Sequence, residues 1–397
     1  MQKSVLAAAG TYLSNGLLGA MLGPVVPALM THFHKTYSLP GYLVFAQVLG
    51  SVIGVPLGAR LSQRFGHRTV VAAVSVVTAV ATMLLSTLPG LPGFYALLAI
   101  IGFGVGASEA IIASYAMVTF PGRRAVVMSN LEVAYAVGAL ISPAIASVFL
   151  HLQAWPWTFV AVSIIMLAST GLWLTNHTET VPDGPQLQLD ANPPASVTAS
   201  PHRQAVLLAV FGGITFLYVG VETSLNNFLP AIFIPHFHVP AYLASLSVSA
   251  LWIAMVIGRV ATGFVIRSVR YTPFLVVSSI AVAVSLCCLS LMRDSALGYT
   301  LVFAAGLFMS GIFSVNLVLA NHSLSIRPHI VTSVVTLSAS IGAGILPIPF
   351  GFALNHTNST VTLSMLAAVM LLLTLAFLLV GASVRHAPES TAELPLT

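Results

Sequence analysis

Long apolar stretches alternate with short polar loops along nearly the whole chain. A helix needs about 20 mainly apolar residues to cross the hydrocarbon core of a bilayer. The pattern therefore predicts twelve membrane-spanning helices, six on each side of one long polar segment. The predicted spans are 4–30, 41–61, 69–88, 93–119, 126–150, 155–175, 205–234, 240–266, 273–292, 296–322, 329–354 and 359–382.

The long polar segment covers residues 176–204 and is rich in Pro, Asp and Ser. Such a composition, with few large apolar residues, is typical of a flexible linker. We therefore expect a six-helix bundle over residues 1–175, a cytoplasmic linker over 176–204, a second six-helix bundle over 205–382 and a cytoplasmic tail over 383–397.

The two predicted bundles repeat each other in sequence, at an offset of 204 residues with one inserted residue in the first pair below. The matching pairs are "PALMTHFH" (27–34) with "PAIFIPHFH" (230–238), "VIG" (52–54) with "VIG" (256–258), and "GALISP" (138–143) with "GAGILP" (342–347). Two parallel six-helix repeats are typical of major facilitator transporters, in which the substrate binds between the halves near the bilayer midplane. The expected fold is an all-α membrane protein of two pseudo-symmetric six-helix bundles.

A loop between the second and third spans supports this interpretation. The stretch "ARLSQRFGHR" (59–68) resembles the Gly-x-Leu-Ala-Asp-Arg-x-Gly-Arg-Arg signature of that superfamily. The matching residues are Leu61, Arg64, Gly66 and Arg68, whereas Ala59 and Gln63 replace the first Gly and the Asp. We assign Arg64, Gly66 and Arg68 to a cytoplasmic gate loop, and add Arg259 from the cytoplasmic end of the eighth helix as a snorkelling or interhelix contact.

Composition and charge exclude a soluble or nucleic-acid-binding protein. The chain has 57% hydrophobic and 6% charged residues and a mean hydropathy of +0.99, whereas about a quarter of the residues in soluble domains are charged. Opposite loops differ in charge, since only Lys35 and Arg293 lie on the side away from the termini. The loops and termini on the other side carry Lys3, Arg60, Arg64, Arg68, Arg123, Arg124, Arg203, Arg267, Arg270, Arg327 and Arg385. By the positive-inside rule, both termini are expected in the cytoplasm and the protein in the inner (plasma) membrane.

Three carboxyl groups lie within the predicted spans, at Glu109, Glu132 and Glu222. A charged side chain at the centre of a membrane helix costs about 2.5–3.5 kcal/mol on insertion scales, so such residues usually mark an ion or proton pathway. A buried carboxyl group can also load and release protons near neutral pH. We expect all three to take part in proton coupling. The alternative is a protonated packing group, and it weighs most for Glu132, which lies nearer the cytoplasm.

Helical spacing places Tyr218, Glu222 and Asn226 in one row, because residues four apart share a face. A phenol, a carboxyl group and an amide in a row suit a polyhydroxylated ligand such as a sugar. Gly102 and Gly106 lie on the face of Glu109, where they would allow close helix packing. The other candidates for the cavity wall, which interhelical hydrogen bonding would explain as well, are Asn15, Gln47, Asn130, Asn227, Tyr12, Tyr135, Trp252 and Asn316.

Four histidines end the first and seventh helices, at His32, His34, His236 and His238. Imidazoles can bind zinc or sense pH, but interfacial anchoring around the intervening Phe is the simpler explanation, and we predict no metal site. The chain also lacks a phosphate-binding loop, a nucleophile elbow and a metalloprotease motif. A transporter is therefore expected rather than an enzyme, without nucleotide or other cofactor.

Four stretches resemble the fucose–galactose–glucose:proton symporter family, closest to its bacterial glucose/mannose:proton symporters. They are "GFGVGASEAIIAS", "MSNLEVAYAVGALISP", "FLYVGVETSLNNFLPAI" and "SLSVSALWIAMVIGRVATGFV". The resemblance implies a monomer that takes up a hexose with a proton by alternating access, with Glu109 as the proton-coupling group. It also implies substrate or coupling roles for the polar members of the set Glu222, Thr223, Asn227, Phe228, Leu229 and Pro230. Fucose-type members carry an aspartate in the first helix, which is absent here.

The sequence thus predicts a proton-coupled importer of a glucose- or mannose-like monosaccharide, with protons and the lipid bilayer as its other partners and no nucleic acid. The alternative is a drug:proton antiporter, suggested by apolar helices rich in Met and Phe. A sugar sensor is disfavoured because the tails, 1–4 and 383–397, are too short to form an output domain.

Overall fold

The computed structural model describes residues 2–119, 124–174, 201–266, 268–326 and 328–384. All regular secondary structure in these ranges is helical. The helices are α1 (Gln2–Ala20), α2 (Leu22–Phe33), α3 (Ser38–Phe65), α4 (His67–Leu85), α5 (Leu91–Thr119), α6 (Arg124–His151), α7 (Trp157–Leu174), α8 (Pro201–Phe237), α9 (Ala241–Val265), α10 (Tyr271–Leu291), α11 (Ser295–Met309), α12 (Ile312–Ser323), α13 (Pro328–Ile345), α14 (Pro347–His356) and α15 (Ser359–Val384).

These fifteen helices form twelve spans because three of the spans are interrupted. The sequence pattern predicted them as continuous. The first span breaks at Met21, the tenth at Ser310 and Gly311, and the eleventh at Leu346, where Pro347 begins α14. Proline lacks an N–H donor and clashes with the preceding turn, so it suits the start of a helix. It does not always interrupt one, since α2, α3, α6 and α8 continue through Pro27, Pro56, Pro143, Pro230 and Pro235. Within the described residues, eleven helical stretches are long and apolar enough to cross a membrane, and the shorter Trp157–Trp173 is the twelfth.

Two of the predicted domain boundaries fall inside observed helices. The helix α8 begins at Pro201, so residues 201–204, assigned to the linker, are helical. The last helix continues to Val384, two residues past the predicted end of the second bundle. The remaining predictions for the linker, the tail and the loop arginines Arg123, Arg267 and Arg327 lie outside the described residues.

The outer surface of the helices is strongly apolar. Large side chains such as Phe264, Leu291 and Leu379 are exposed, which suits contact with lipid rather than water. Helices satisfy all their backbone N–H and C=O groups internally, and this is required within a bilayer because no water is available there. The chain is therefore a multi-pass membrane protein.

Glycines bring helices into close contact at equivalent places in the two halves. A Cβ atom on Gly102 of α5 would overlap the backbone carbonyl of Gln47 on α3. Gly306 of α11 lies in the same way against the carbonyl of Leu251 on α9, and both residues of this pair follow the first pair by 204 positions. The sequence repeat is thus also a repeat of backbone packing. The expected close approach at Gly102 and Gly106 is confirmed, since Gly106 packs against Ser51.

The contacts between the halves lie from mid-span to the ends remote from the chain termini. Gly41 of α3 packs against Ile348 of α14, and Gly351 packs against the carbonyl of Tyr37. Ser147 of α6 donates a hydrogen bond of 2.7 Å to the carbonyl of Tyr242. The halves are therefore closed together on the far side, and the space between them opens toward the termini.

The close packing of α3 and α5 gives a testable prediction. We expect Gly102→Ala to lower the stability of the detergent-solubilised protein, because overpacking a well-packed contact costs about 1–3 kcal/mol. The measurement is the apparent Tm, followed by loss of the monodisperse chromatographic peak on heating. Gly213→Ala is the matched control, because no atom lies within 4 Å of a Cβ at Gly213. An equal Tm for the two variants would contradict the packing described here.

Candidate functional site

A cavity of about 400 Å³ lies between the two halves. The first half contributes α1, α3, α5 and α6 to its wall, and the second half contributes α8, α9 and α13. The polar and aromatic residues that line it are Tyr12, Ser51, Glu109, Glu132, Tyr135, Glu222, Thr223, Asn226, Trp252, Arg259, Thr336 and Ser340. All three predicted intramembrane carboxyl groups therefore face one shared space.

Glu109 lies on α5 and is held by a small polar group from α1. The Nδ2 of Asn15 donates to the Ser108 hydroxyl at 3.0 Å and lies 3.5 Å from Oε1 of Glu109. The Ser108 hydroxyl itself donates to the carbonyl of Val105, so it accepts from Asn15 and this orients the amide. The Oδ1 of Asn15 is buried and has no hydrogen-bond partner among the described residues.

Glu132 and Glu222 occupy different positions in the same wall. Glu132, on α6, is exposed to the cavity. Glu222, on α8, is partly buried. Arg259, on α9, is the cation among the residues that line this cavity.

The predicted row on α8 is only partly correct. Glu222 and Asn226 line the cavity, but Tyr218 does not. The side chain of Tyr218 is 1% exposed, and its hydroxyl donates to the carbonyl of Met309 at 2.8 Å. The phenol packs α8 against the tenth span, and the proposed sugar contact is wrong in this conformation.

Arg259 is the clearest correction to the site prediction. The sequence placed it with the cytoplasmic gate loop, as a snorkelling or interhelix contact, whereas it lines the central cavity. Its guanidinium carbon lies 5.9 Å from the centre of the Trp252 ring, a cation–π distance. Its Nη1 is buried and has no hydrogen-bond partner among the described residues. The long side chain carries the charge away from the helix end, which sequence position alone does not reveal.

A hydrogen bond between the halves, supported by a second one within the second half, lies at the wall of the cavity. Trp252 donates from Nε1 to Oδ1 of Asn226 at 2.9 Å, and Nδ2 of Asn226 donates to the carbonyl of Gly19 at 3.1 Å. The Tyr135 ring lies 6.1 Å from the Trp252 ring, tilted by 58°. The Asn226 amide therefore donates across the interface to α1, whereas Trp252 donates within its own half and holds that amide in place.

Five other predicted cavity residues do not line the cavity. Asn15 lies behind Glu109, and Gln47 packs its backbone against Gly102. Asn130 is exposed elsewhere. Asn227 donates to the Thr223 carbonyl of its own helix at 2.9 Å, and Asn316 donates to the Thr215 hydroxyl at 2.9 Å. The alternative of hydrogen bonding within and between helices is correct for Asn15, Asn227 and Asn316.

Sequence reasoning missed the contribution of α13. Thr336 and Ser340 line the cavity from the second half, together with Ala339 and Ala343. The signal was present, because two hydroxyls four residues apart share one helix face. Small polar residues are common on membrane helices, however, and they did not stand out in the sequence as the carboxyl groups did.

The predicted gate loop lies at the end of the helices near the termini. Gly66 ends α3 with a φ of 82°, a left-handed conformation that glycine adopts without strain. Arg64 is exposed and lies 5.3 Å from the ring of its neighbour Phe65. Arg68 donates from Nε to the carbonyl of Trp173 at 2.8 Å and so ties α4 to α7. These residues lie outside the cavity wall.

The four histidines of the two predicted pairs differ in their surroundings. His32, His34 and His238 are exposed, while His236 is buried. The Nε2 of His236 lies 3.0 Å from the carbonyl of Met292, and its Nδ1 lies 3.2 Å from Nη1 of Arg293. In the part of the chain that the structure describes, no group of three or more His, Cys, Asp or Glu residues could hold a metal ion.

Comparison with known proteins relates this arrangement to a family. The chain is 27% identical to the glucose/mannose transporter GlcP of Bacillus subtilis (strain 168), over 95% of this chain and 94% of that protein. Its fold is similar to a bacterial homologue of the human lysosomal transporter Spinster, with a TM-score of 0.79, 12% identity and 98% of each chain covered. It is also similar to a D-xylose-proton symporter, with a TM-score of 0.73, 17% identity and 94% of this chain and 96% of that chain covered.

These relatives are membrane transporters and not enzymes, which confirms the expectation of a transporter with the twelve-helix fold. Residues 8–347 match the protein family described as the Major Facilitator Superfamily. With its two repeated halves, its central cavity and this match, the chain belongs to the Major Facilitator Superfamily.

Proposed function

We propose that the protein imports a hexose, such as glucose or mannose, together with a proton by alternating access. The observation that carries this proposal is the position of Glu109, Glu132 and Glu222, which line one cavity between the halves. Carboxyl groups at membrane depth that face a cavity mark ion or proton pathways. The similarity to a glucose/mannose transporter over 95% of the chain supports a hexose as the substrate.

The cavity has the size and the chemistry of a small-ligand site. Its volume of about 400 Å³ lies in the usual range for such sites. Glu222 accepts hydrogen bonds from sugar hydroxyls, and the hydroxyl groups of Thr223 and Ser340 can donate or accept. The rings of Tyr135 and Trp252 provide apolar faces for the C–H groups of a sugar. Glu222, Thr223 and Ser340 therefore replace Tyr218 and Asn227 as the proposed ligands.

Glu109 is the proposed proton-binding group. When it is ionised, the Asn15 amide donates toward Oε1; when it is protonated, it approaches the substrate site as a neutral group. Sugar and proton favour the same occluded state, so each raises the affinity for the other. A membrane potential adds about 2.3 kcal/mol per charge per 100 mV to inward movement of the proton.

We propose that the protein lies in the inner (plasma) membrane with both termini in the cytoplasm. The excess of arginine in loops on that side supports it. The cavity then opens inward, as in the step that releases sugar and proton into the cell. We propose that a monomer carries out the cycle without a cofactor other than the coupling proton.

The substrate is tested by uptake of labelled glucose, mannose, fucose and galactose into vesicles that contain the protein. We expect an inward proton gradient to drive accumulation of glucose or mannose above equilibrium, and a protonophore to abolish it, because the proton gradient supplies the energy. Efflux of lipophilic dyes without uptake of any of these sugars would contradict the proposal and identify a drug:proton antiporter.

The proton role is tested by Glu109→Gln. Glutamine retains an oxygen that accepts from Asn15 but cannot exchange a proton, so we expect uphill accumulation to be lost and sugar exchange between the two sides to continue. The matched control is Asp294→Asn, because Asp294 lies outside the cavity wall and accepts from the Leu297 backbone N–H, as asparagine also would. A Glu109→Gln protein that still accumulates sugar would show that another residue couples the proton.

The sugar contact is tested by comparing Glu222→Gln with Asn227→Ala. A hydrogen bond to a charged group contributes about 1.5–3 kcal/mol, so we expect Glu222→Gln to raise the KM for sugar about tenfold or more. Asn227 is 3% exposed and lies outside the cavity wall, so its replacement should change the KM by less than about twofold. The opposite ranking would place the sugar on the other side of α8.

A further inference from the structure

Two helices from opposite halves, α6 and α9, face each other along one seam. Near its far end, Ser147 donates to the carbonyl of Tyr242 at 2.7 Å. Further along, Ser249 donates to the carbonyl of Leu140 at 3.2 Å. Residue numbers fall along α6 as they rise along α9, so the helices run antiparallel, and each contact lies nearer the chain termini than the one before.

The next contact along the seam toward the termini is between the rings of Tyr135 and Trp252, whose centres are 6.1 Å apart. The next charged side chains toward the termini are Glu132 on α6 and Arg259 on α9, and both line the cavity. The Arg259 guanidinium reaches back to within 5.9 Å of the Trp252 ring. This brings its charge toward the level of the Glu132 turn.

Neither charge has a partner that fully satisfies it in this conformation. Glu132 is exposed to the cavity, and Nη1 of Arg259 is buried without a hydrogen-bond partner among the described residues. Arg259 lines the same cavity as two carboxyl groups, Glu132 on the opposite half and Glu222 on its own half. An unpaired buried guanidinium nitrogen is unfavourable, since buried charges are normally paired and hydrogen-bonded.

We propose that Arg259 and Glu132 form an ion pair across the halves that closes the cavity on the side of the chain termini. Rocking about the far-side contacts extends the seam between α6 and α9 toward the termini and brings these two side chains together first. Closure without pairing would bury both charges alone, and this is strongly unfavourable. Pairing also withdraws the guanidinium from Glu222 and leaves that carboxylate free for the substrate.

The inference rests on alternating access in the proposed function, but not on hexose or proton as the cargo. In this inference, Arg259 and Glu132 are gate residues. They set the equilibrium between the conformation open on the termini side and the conformation closed on that side. Loss of either charge should shift this balance toward the conformation open on the termini side. An exposed ion pair changes an equilibrium by up to about fivefold, and a pair that becomes buried on closure should reach at least that value.

The test measures how accessible the cavity is from the termini side. Thr336→Cys, a position in the cavity wall, is the reporter in a background with Cys287→Ser and Cys288→Ser, and a membrane-impermeant maleimide is added from that side. We expect Glu132→Gln and Arg259→Gln each to raise the labelling rate about fivefold. The exchanged pair Glu132→Arg with Arg259→Glu should restore the original rate, and Arg259→Lys should retain it.

A second measurement asks whether the two positions meet. We expect Glu132→Cys and Arg259→Cys in one chain to form a disulfide under mild oxidation and to block labelling at position 336. In the matched control, Val133→Cys is used instead of Glu132→Cys, and Val133 is 43% exposed. A cysteine at position 133 should not cross-link to position 259, because adjacent helix residues point in different directions.

Single variants that leave the labelling rate unchanged, or an exchanged pair that is no closer to the original rate than the single variants, would overturn the inference. Neither measurement uses a sugar. Failure to transport hexoses with protons therefore leaves the test intact, and a failed test leaves the transport assays intact.

Discussion

The absence of water from the bilayer core is the constraint on which the rest of the structure depends. Backbone N–H and C=O groups must bond to each other there, and helices do this along their whole length. Apolar side chains gain little by leaving lipid for a neighbouring helix, so packing depends on close fit. The contact of Gly102 with the Gln47 backbone, and its repeat at Gly306 and Leu251, are consequences of this rule.

The same constraint gathers the charged groups in one place. Glu109 and Glu132 belong to the first half, and Glu222 and Arg259 to the second, yet all four line the same cavity. In the absence of the other half, each half would expose its two ionisable groups to lipid. Together they enclose a polar space, so the site exists only because the halves are assembled. A movement of the halves therefore changes every pair of charges across the cavity at once.

The sequence predicted features whose energies are large and local. The spans could be predicted because exposing long apolar runs to water is unfavourable. The three carboxyl groups were correctly expected to face a cavity, because an acid facing lipid is too costly. The amides were harder to place. An asparagine is satisfied equally by a substrate or by a nearby carbonyl or hydroxyl, and Asn227 and Asn316 take the second option.

Arg259 shows a different limit of sequence reasoning. Its position near the end of a helix indicated a surface contact, but its side chain is long enough to reach back toward Trp252. The position of a residue along a helix does not determine where the charged end of a long, flexible side chain lies. The breaks at Met21, Ser310 and Leu346 were missed for a related reason, since apolar composition indicates that a segment spans the membrane but not whether its backbone is continuous.

Among the described residues, few side-chain hydrogen bonds join the two halves, and this bears on how the protein can move. The hydrogen bonds described across the interface come from Ser147, Ser245, Ser249 and Asn226. Side-chain hydrogen bonds between membrane helices average about 0.6 kcal/mol, so four of them amount to about 2.4 kcal/mol. Coupling free energies between bound ligands are typically 1–3 kcal/mol. Binding of one substrate or one proton is therefore of the size needed to offset these hydrogen bonds. The close glycine contacts between the halves, such as Gly41 with Ile348, add to what a movement of the halves must release.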